Sequence, residues 1–219
     1  MSTYVLVHGG NTSTDTWNRI SGRDDYPNGG YLGAKCWNPA ISTLTAHGHN
    51  VFAPTLKPED SSSLTEHIQQ ICAVIAGNNL TNIILVGHSY GGIVITGVAD
   101  KIPERIKLLV YLDAALPEPG QSLYDLLQLG LTSSTGDMPA LPDPAPPYVE
   151  KLQYNKVTIQ ALPKIYILCT KSEFIDVTSL AKKKIDADNK GWNYIELDSS
   201  HLPMADAPDK LCQVFLDAS

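Results

Sequence analysis

The chain has 219 residues, of which 43% are hydrophobic and 18% are charged, as in ordinary globular proteins and unlike disordered or coiled-coil chains. Its formal net charge of −7 argues against nucleic acid or an anionic membrane as a partner, because both attract clusters of Lys and Arg. We therefore expect no nucleic acid and no membrane among its partners. The length of the chain predicts a single domain over residues 1–219.

Six short runs rich in Val, Ile, Leu and Tyr predict β-strands, with helical patterns between them. These runs span about residues 4–8, 50–55, 82–87, 106–113, 164–170 and 192–197. Continuous apolar stretches such as Ile83 to Val86 are typical of strands that are covered by helices on both faces. The alternation predicts an α/β fold, a doubly wound and mostly parallel sheet of about six strands.

The start of the chain and its cysteines bear on location. Met-Ser-Thr leads directly into the first strand, without the apolar length and basic flank of a signal peptide. No apolar stretch reaches the roughly 18 residues that a membrane span needs. The four cysteines, Cys36, Cys72, Cys169 and Cys212, lack Cys-x-x-Cys spacing, and at least two lie in apolar patterns where we expect reduced, buried thiols. These features predict a cytoplasmic protein.

Two helices carry recognisable start signals. Asn38 followed by Pro39 predicts an N-cap and a first helical residue, and Gly48 lies just past the end of that helix. Ser63, with Glu66 three residues later, predicts a capping box at the start of the next helix.

Two segments interrupt the alternation of strands and helices. Residues 11–36 are rich in Gly, Asn, Asp, Ser and Thr and predict a long excursion after the first strand. Residues 114–163 contain a proline cluster from Pro139 to Pro147 and predict a reduced cap, or lid, inserted after the strand that ends near residue 113. An irregular surface loop is the alternative interpretation of both segments.

The sequence Gly87-His88-Ser89-Tyr90-Gly91-Gly92 follows a predicted strand and precedes a predicted helix. A Gly-x-Ser-x-Gly sequence in this context is typical of a nucleophile elbow, a sharp turn that exposes the serine hydroxyl. The flanking glycines permit the close approach of strand and helix. We therefore predict Ser89 as the nucleophile.

A serine nucleophile needs a general base and an oxyanion hole. His201 lies on the loop after the last predicted strand, where this kind of fold places its catalytic histidine, so we predict His201 as the base. The residue after the nucleophile normally supplies one backbone N–H donor, and the loop after the first strand supplies the other. We assign these donors to Tyr90 and Gly10. A tight turn that merely requires glycine is the alternative for the Gly9-Gly10 pair.

Several stretches of the chain resemble the α/β-hydrolase superfamily, in particular its small methyl-esterase and hydroxynitrile-lyase group and the bacterial esterase relatives of that group. They are Val5 to Gly10, Cys36 to Pro39, Val86 to Gly92, Tyr111 to Ala114, Tyr166 to Thr170 and Ser200-His201. The resemblance covers nearly the whole chain except residues 11–35 and the shortened cap. It implies a serine hydrolase that cleaves a small carboxylic ester through an acyl-enzyme and needs no metal or organic cofactor.

The chain departs from that group at two places. Hydroxynitrile lyases of the group carry lysine after the catalytic histidine and threonine in the oxyanion loop, whereas this chain has Leu202 and Gly9. Cleavage of cyanohydrins is therefore not expected. The acid of the catalytic triad usually stands in a Cys-Thr-x-Asp pattern, but Ser172 occupies the place of that aspartate.

Three carboxylates are candidates for the missing acid. Asp113 ends the preceding strand, and Tyr111-Leu112-Asp113-Ala114 resembles the pattern by which some dehalogenase-like and luciferase-like relatives place the acid there. A carboxylate at this edge of the sheet faces the active-site crevice. Glu173 and Asp176 lie on the next loop. We favour Asp113, with Glu173 as the alternative.

Other functions remain compatible with the sequence. The same residues serve cofactor-free cleavage of lactones, amides or C–C bonds, and a binding protein that retains the pocket of the fold without catalysis belongs to another class altogether. Neither the identity of the substrate nor the oligomeric state follows from the sequence.

Overall fold

The computed structural model describes residues 1–10, 12–133, 144–188 and 190–219. Its strands are β1 (Thr3–Val7), β2 (Asn50–Phe52), β3 (Ile83–His88), β4 (Ile106–Leu112), β5 (Lys164–Cys169) and β6 (Trp192–Leu197). They form one sheet in the order β2-β1-β3-β4-β5-β6, and every neighbouring pair is parallel. The predicted α/β fold with a doubly wound sheet of six strands is confirmed.

Helices connect the strands and cover the sheet. They are α1 (Thr14–Ser21), α2 (Asn38–Ala46), α3 (Leu64–Gly77), α4 (Gly91–Lys101), α5 (Leu123–Ser133), α6 (Pro146–Val149), α7 (Lys156–Ala161), α8 (Ile175–Ala187), α9 (Pro203–Asp206) and α10 (Pro208–Asp217). Two 3₁₀ turns add Gly33–Trp37 and Pro103–Arg105.

Strand side chains alternate between two apolar layers. Val5 and Leu85 pack with Ile71 of α3 on one face, whereas Leu6 and Val86 pack on the other face with the cluster that includes α2 and α10. Burial of both faces accounts for the continuous apolar strand sequences. The carboxyl ends of all strands share one edge, and the chain reverses its direction of strand addition between β1 and β3. Such a switch point is where open α/β sheets form their crevices.

The predicted helix starts are correct to within one residue. At α3, the Ser63 hydroxyl accepts from the Glu66 N–H and the Glu66 carboxylate accepts from the Ser63 N–H, which confirms the capping box. At α2, Asn38 is the first helical residue and Trp37 holds the cap position, because a 3₁₀ turn runs directly into the helix. Gly48 has a φ of +80°, as expected just past a helix end.

The prediction of one long excursion over residues 11–36 is wrong in part. The segment contains α1, capped by the Ser13 hydroxyl, which accepts from the Thr16 N–H, and ended by Gly22 at a φ of +67°. Trp17 anchors this helix in the core. Both end signals are visible in the sequence, but the helix is short and the polar composition around it concealed the pattern.

The segment 114–163 contains three helices, α5, α6 and α7, in its described part. Part of the predicted proline cluster, and of the predicted cap, lies outside the described residues. A bridge between Gln121 and Leu152 ties the two ends of the segment together. None of the described helices is both long and apolar enough to cross a membrane. All four cysteines are unpaired, which includes those expected to be reduced.

Candidate active site

The turn after β3 places Ser89 at the carboxyl edge of the sheet. Ser89 has a φ of +55°, a strained value for a residue with a side chain. Its N–H donates to the Leu112 carbonyl at 3.1 Å, and its carbonyl accepts from the Ala115 N–H at 3.1 Å. The turn is thereby tied to the end of β4, which holds the Ser89 hydroxyl in a defined position.

The glycines of the turn are required by close packing. A Cβ on Gly87 would lie 2.5 Å from the Gly91 carbonyl oxygen, and a Cβ on Gly91 would lie 2.6 Å from the Val7 carbonyl oxygen. Both contacts are with backbone, which cannot move aside without disturbing the sheet. Gly9 approaches the serine itself, since a Cβ there would lie 2.8 Å from the Ser89 Cβ.

The loop after β6 brings His201 to this serine. The His201 Nε2 lies 2.9 Å from the Ser89 Oγ, across 112 positions of sequence. Its other ring nitrogen, Nδ1, lies 2.6 Å from the Asp113 Oδ2. In the neutral imidazole, the Nδ1–H therefore donates to the carboxylate, and Nε2 accepts from the serine hydroxyl.

Asp113 is fully buried at the end of β4, in the left-handed region at a φ of +43°. Its Oδ1 accepts from the Cys169 N–H at 3.0 Å, and its Oδ2 accepts from His201 and from the Ser172 hydroxyl. A buried carboxylate without such donors would be costly, so these three hydrogen bonds make the position tenable.

Ser172 is a site residue that sequence reasoning missed. It follows β5 and is buried, and besides donating to Asp113 its Oγ accepts from the Phe174 N–H at 3.0 Å. The same Oγ lies 3.4 Å from the His201 Nδ1. The side chain thus stands at the position of the aspartate in the Cys-Thr-x-Asp pattern that the resemblance implies, beside the carboxylate that contacts the imidazole. The missing aspartate in the Cys-Thr-x-Asp pattern was the available signal.

The other candidate carboxylates do not contact the imidazole. Glu173 is exposed, and its Oε2 accepts from the backbone N–H of His201 at 3.3 Å. Asp176 is exposed in the first turn of α8. Of the three candidates, the structure brings only Asp113 to the His201 ring.

His88 holds the backbone of His201 from the other side and was also missed as part of the site. Its Nε2–H donates to the His201 carbonyl at 2.7 Å, and the two rings lie 4.7 Å apart. Burial, reinforced by the neighbouring His201, holds the pKa of His88 well below its usual range. The neutral His88 and the Glu173 carboxylate together fix both backbone groups of His201.

This burial predicts a pH-dependent stability. The folded-state pKa of His88 is lowered, so the folded protein binds its proton less readily than the unfolded chain. The stabilisation that neutral His88 provides is therefore fully present above the unfolded pKa of about 6.5, and it is lost as the pH falls below that value. Between about pH 6.5 and 5.5, the unfolding free energy should drop by about 1 kcal/mol for this histidine. Urea unfolding at the two pH values measures the drop. His88→Gln, which keeps a donor, should show a smaller one, and an equal drop in both proteins would contradict the expectation.

The two candidate oxyanion donors lie beside Ser89. Tyr90 is anchored below the turn, where its hydroxyl donates to the Nδ1 of His67 at 2.9 Å while the Nε2–H of His67 donates to the Lys57 carbonyl. Among the described residues, the backbone N–H groups of Gly10 and Tyr90 have no acceptor. Both residues line the same cavity as Ser89.

This cavity has a volume of about 270 Å³ and is mostly apolar. Besides Ser89, Gly10 and Tyr90, it is lined by side chains from α5, α6 and their flanks, among them Leu123, Leu127 and Tyr148. The Tyr148 hydroxyl donates to the buried Glu59 carboxylate, which connects α6 to the loop after β2.

Comparison with known proteins agrees with this architecture. The model of the alpha/beta hydrolase family matches residues 4–155. A carbendazim-hydrolysing esterase of Nocardioides sp. (strain SG-4G) is 41% identical over 139 residues, which cover 60% of this chain and 49% of the relative. Methylesterase 8 of Arabidopsis thaliana is 30% identical over 103 residues, covering 43% of this chain and 38% of the relative. The chain thus spans about half the length, or less, of these curated relatives.

The fold also matches solved structures over its full length. An extracellular alpha/beta-hydrolase from a Paenibacillus species superposes with a TM-score of 0.74 at 23% identity, covering 100% of this chain and 99% of that structure. The family model covers more than half of the chain, and the predicted resemblance to the methyl-esterase group is confirmed. This protein is a member of the alpha/beta hydrolase family.

Proposed function

We propose that this protein is a serine hydrolase that cleaves a small carboxylic ester through an acyl-enzyme. The observation that carries the proposal is the unbroken hydrogen-bonded series Ser89–His201–Asp113, with the serine on a strained turn at the carboxyl edge of the sheet. The esterase names of the relatives support ester chemistry at the level of the family.

In the proposed first step, the Ser89 Oγ attacks the ester carbonyl carbon while the His201 Nε2 takes the hydroxyl proton. The carbonyl oxygen becomes an oxyanion, which the N–H groups of Gly10 and Tyr90 stabilise. The bond to the alcohol oxygen then breaks, and His201 gives its proton to that oxygen. Asp113 keeps the imidazole in the required tautomer and stabilises its charged form.

The second step repeats the first with water. His201 takes a proton from a water molecule, which attacks the acyl carbon, and Ser89 leaves with that proton as the acid is released. The apolar cavity of about 270 Å³ lies at the small end of ligand pockets, which supports a small acyl group. We propose that residues 114–163 act as the reduced cap over this cavity. The cytoplasmic location stays a prediction.

A fluorophosphonate probe tests the proposal directly, because it phosphonylates only an activated serine. We expect one modified residue, identified as Ser89 by peptide mass spectrometry, and inhibition in proportion to labelling. Heat-unfolded protein serves as the control, since unfolding separates Ser89 from His201. Unlabelled Ser89 in the folded protein would contradict the proposal and favour a non-catalytic ligand-binding protein.

A further inference from the structure

A second cavity adjoins His201. It has a volume of about 370 Å³ and is lined by α1 and its preceding loop, by the loop that carries Glu173 and Phe174, and by His201 itself. Phe174 lines both cavities and packs against the His201 ring with centroids 4.9 Å apart. The first cavity, lined by Ser89, is here called the serine cavity, and the second the α1 cavity.

The chemistry of acyl transfer distinguishes the two spaces. The acyl carbon becomes bonded to the Ser89 Oγ, and its oxygen points to Gly10 and Tyr90, all of which line the serine cavity. The departing alcohol oxygen receives its proton from the His201 Nε2. His201 lines the α1 cavity, whereas Ser89 does not. These contacts favour the serine cavity for the acyl group and the α1 cavity for the alcohol.

The polar groups of the α1 cavity are almost all engaged. The Thr12 hydroxyl donates to the Gly10 carbonyl at 3.3 Å, the hydroxyls of Ser13 and Thr16 lie 3.0 Å apart, and Glu173 accepts from the His201 N–H. The exception is Arg19, whose guanidinium makes no hydrogen bond or ion pair with any described residue.

The acidic residue at helical spacing from Arg19 does not pair with it. Asp15, one helical turn earlier, accepts from the Gly29 N–H at 2.8 Å, and no ion pair joins it to Arg19. Arg19 thus lines the cavity as an exposed residue whose guanidinium donors no described residue occupies, and a guanidinium is suited to binding a carboxylate.

We propose that the α1 cavity binds the alcohol part of the ester and that Arg19 recognises a carboxylate on that alcohol. The substrate class is an ester with an apolar acyl group and an acidic alcohol. The inference rests on the proposed serine-hydrolase function. It assigns a specificity role to α1, the helix that follows the Gly9-Gly10 turn.

Matched esters test the inference. 3-Carboxyphenyl hexanoate and 3-carbamoylphenyl hexanoate share an acyl group and differ in the charge of the alcohol. The ratio of their kcat/KM values is measured in the native protein and in Arg19→Gln, so that the intrinsic reactivities cancel. Arg23→Gln is the control, because Arg23 is also exposed but pairs with Asp25 and does not line the cavity.

We expect Arg19→Gln to lower the preference for the carboxylate ester by about two- to fivefold, the range of an exposed ion pair. About 1 M salt should remove the same preference, because it shortens the screening length to about 3 Å. Arg19→Lys should retain part of the preference, and Arg23→Gln should retain all of it. An unchanged ratio in Arg19→Gln, or an equal loss in Arg23→Gln, would overturn the inference.

A second pair of esters tests the acyl side. Phenyl hydrogen adipate carries its carboxylate on the acyl chain and should be cleaved at least about tenfold more slowly than phenyl hexanoate, because the serine cavity offers the charge little compensation. A faster adipate ester would reverse the assignment of the cavities. If no ester is cleaved in a Ser89-dependent manner, the proposed function itself fails. If the two matched esters are cleaved equally well by a Ser89-dependent reaction, only the role of Arg19 fails.

Discussion

Ser89→Ala is expected to lower ester hydrolysis by about six orders of magnitude, as loss of the nucleophile does in serine proteases whose triad acts as a unit. The substitution removes only the hydroxyl that lies 2.9 Å from the His201 Nε2. The fold should persist, because the turn is held by backbone hydrogen bonds to Leu112 and Ala115. The measurement is kcat with an aryl ester, together with the thermal unfolding midpoint.

A matched serine variant separates catalysis from folding. Ser63→Ala removes the cap of α3, far from Ser89 in the sequence, and should cost about 1 kcal/mol of stability while kcat stays unchanged. Ser89→Ala should show the opposite behaviour. More than a few per cent of native turnover in Ser89→Ala would exclude this residue as the nucleophile.

Asp113→Asn is expected to lower turnover by about 10⁴, because the amide no longer holds the Nδ1–H tautomer of His201. Glu173→Gln should change turnover by less than about tenfold, since Glu173 contacts only the His201 backbone and an amide oxygen still accepts that bond. Steady-state kinetics on the two variants measures the contrast. A reversed order would assign the acid to Glu173.

The position of Ser172 offers a rescue of Asp113→Asn. Its Oγ lies 3.4 Å from the His201 Nδ1, so an aspartate there places a carboxylate beside the same nitrogen. We expect the double variant Asp113→Asn, Ser172→Asp to turn over at least about tenfold faster than Asp113→Asn alone. A correctly held imidazole raises turnover by about 10⁴, so a partial restoration is measurable. No recovery in a folded double variant would mean that the β5 loop cannot present an acid to His201.

Much of this protein is determined by short-range sequence signals. Continuous apolar runs specify β1, β3 and β5 because these strands bury both faces. The capping box at Ser63 is complete within four residues. The elbow around Ser89 also has a local sequence pattern, which is complete within Gly87 to Gly92, although the steric contact that requires Gly91 is with β1. These features could be predicted because each has a recognisable pattern within a few residues of chain.

The tertiary structure alone decided which carboxylate meets His201. Asp113 and Glu173 both follow parallel strands and reach the same edge of the sheet, so their sequence positions do not distinguish them. The contact between Asp113 and His201 spans 88 positions and depends on how the loops after β4, β5 and β6 pack. Ser172 and His88 could not be placed in the site from the sequence for the same reason, since they contact Asp113 and His201. Their partners are distant in sequence, and no local pattern encodes a hydrogen bond that only the folded sheet brings together.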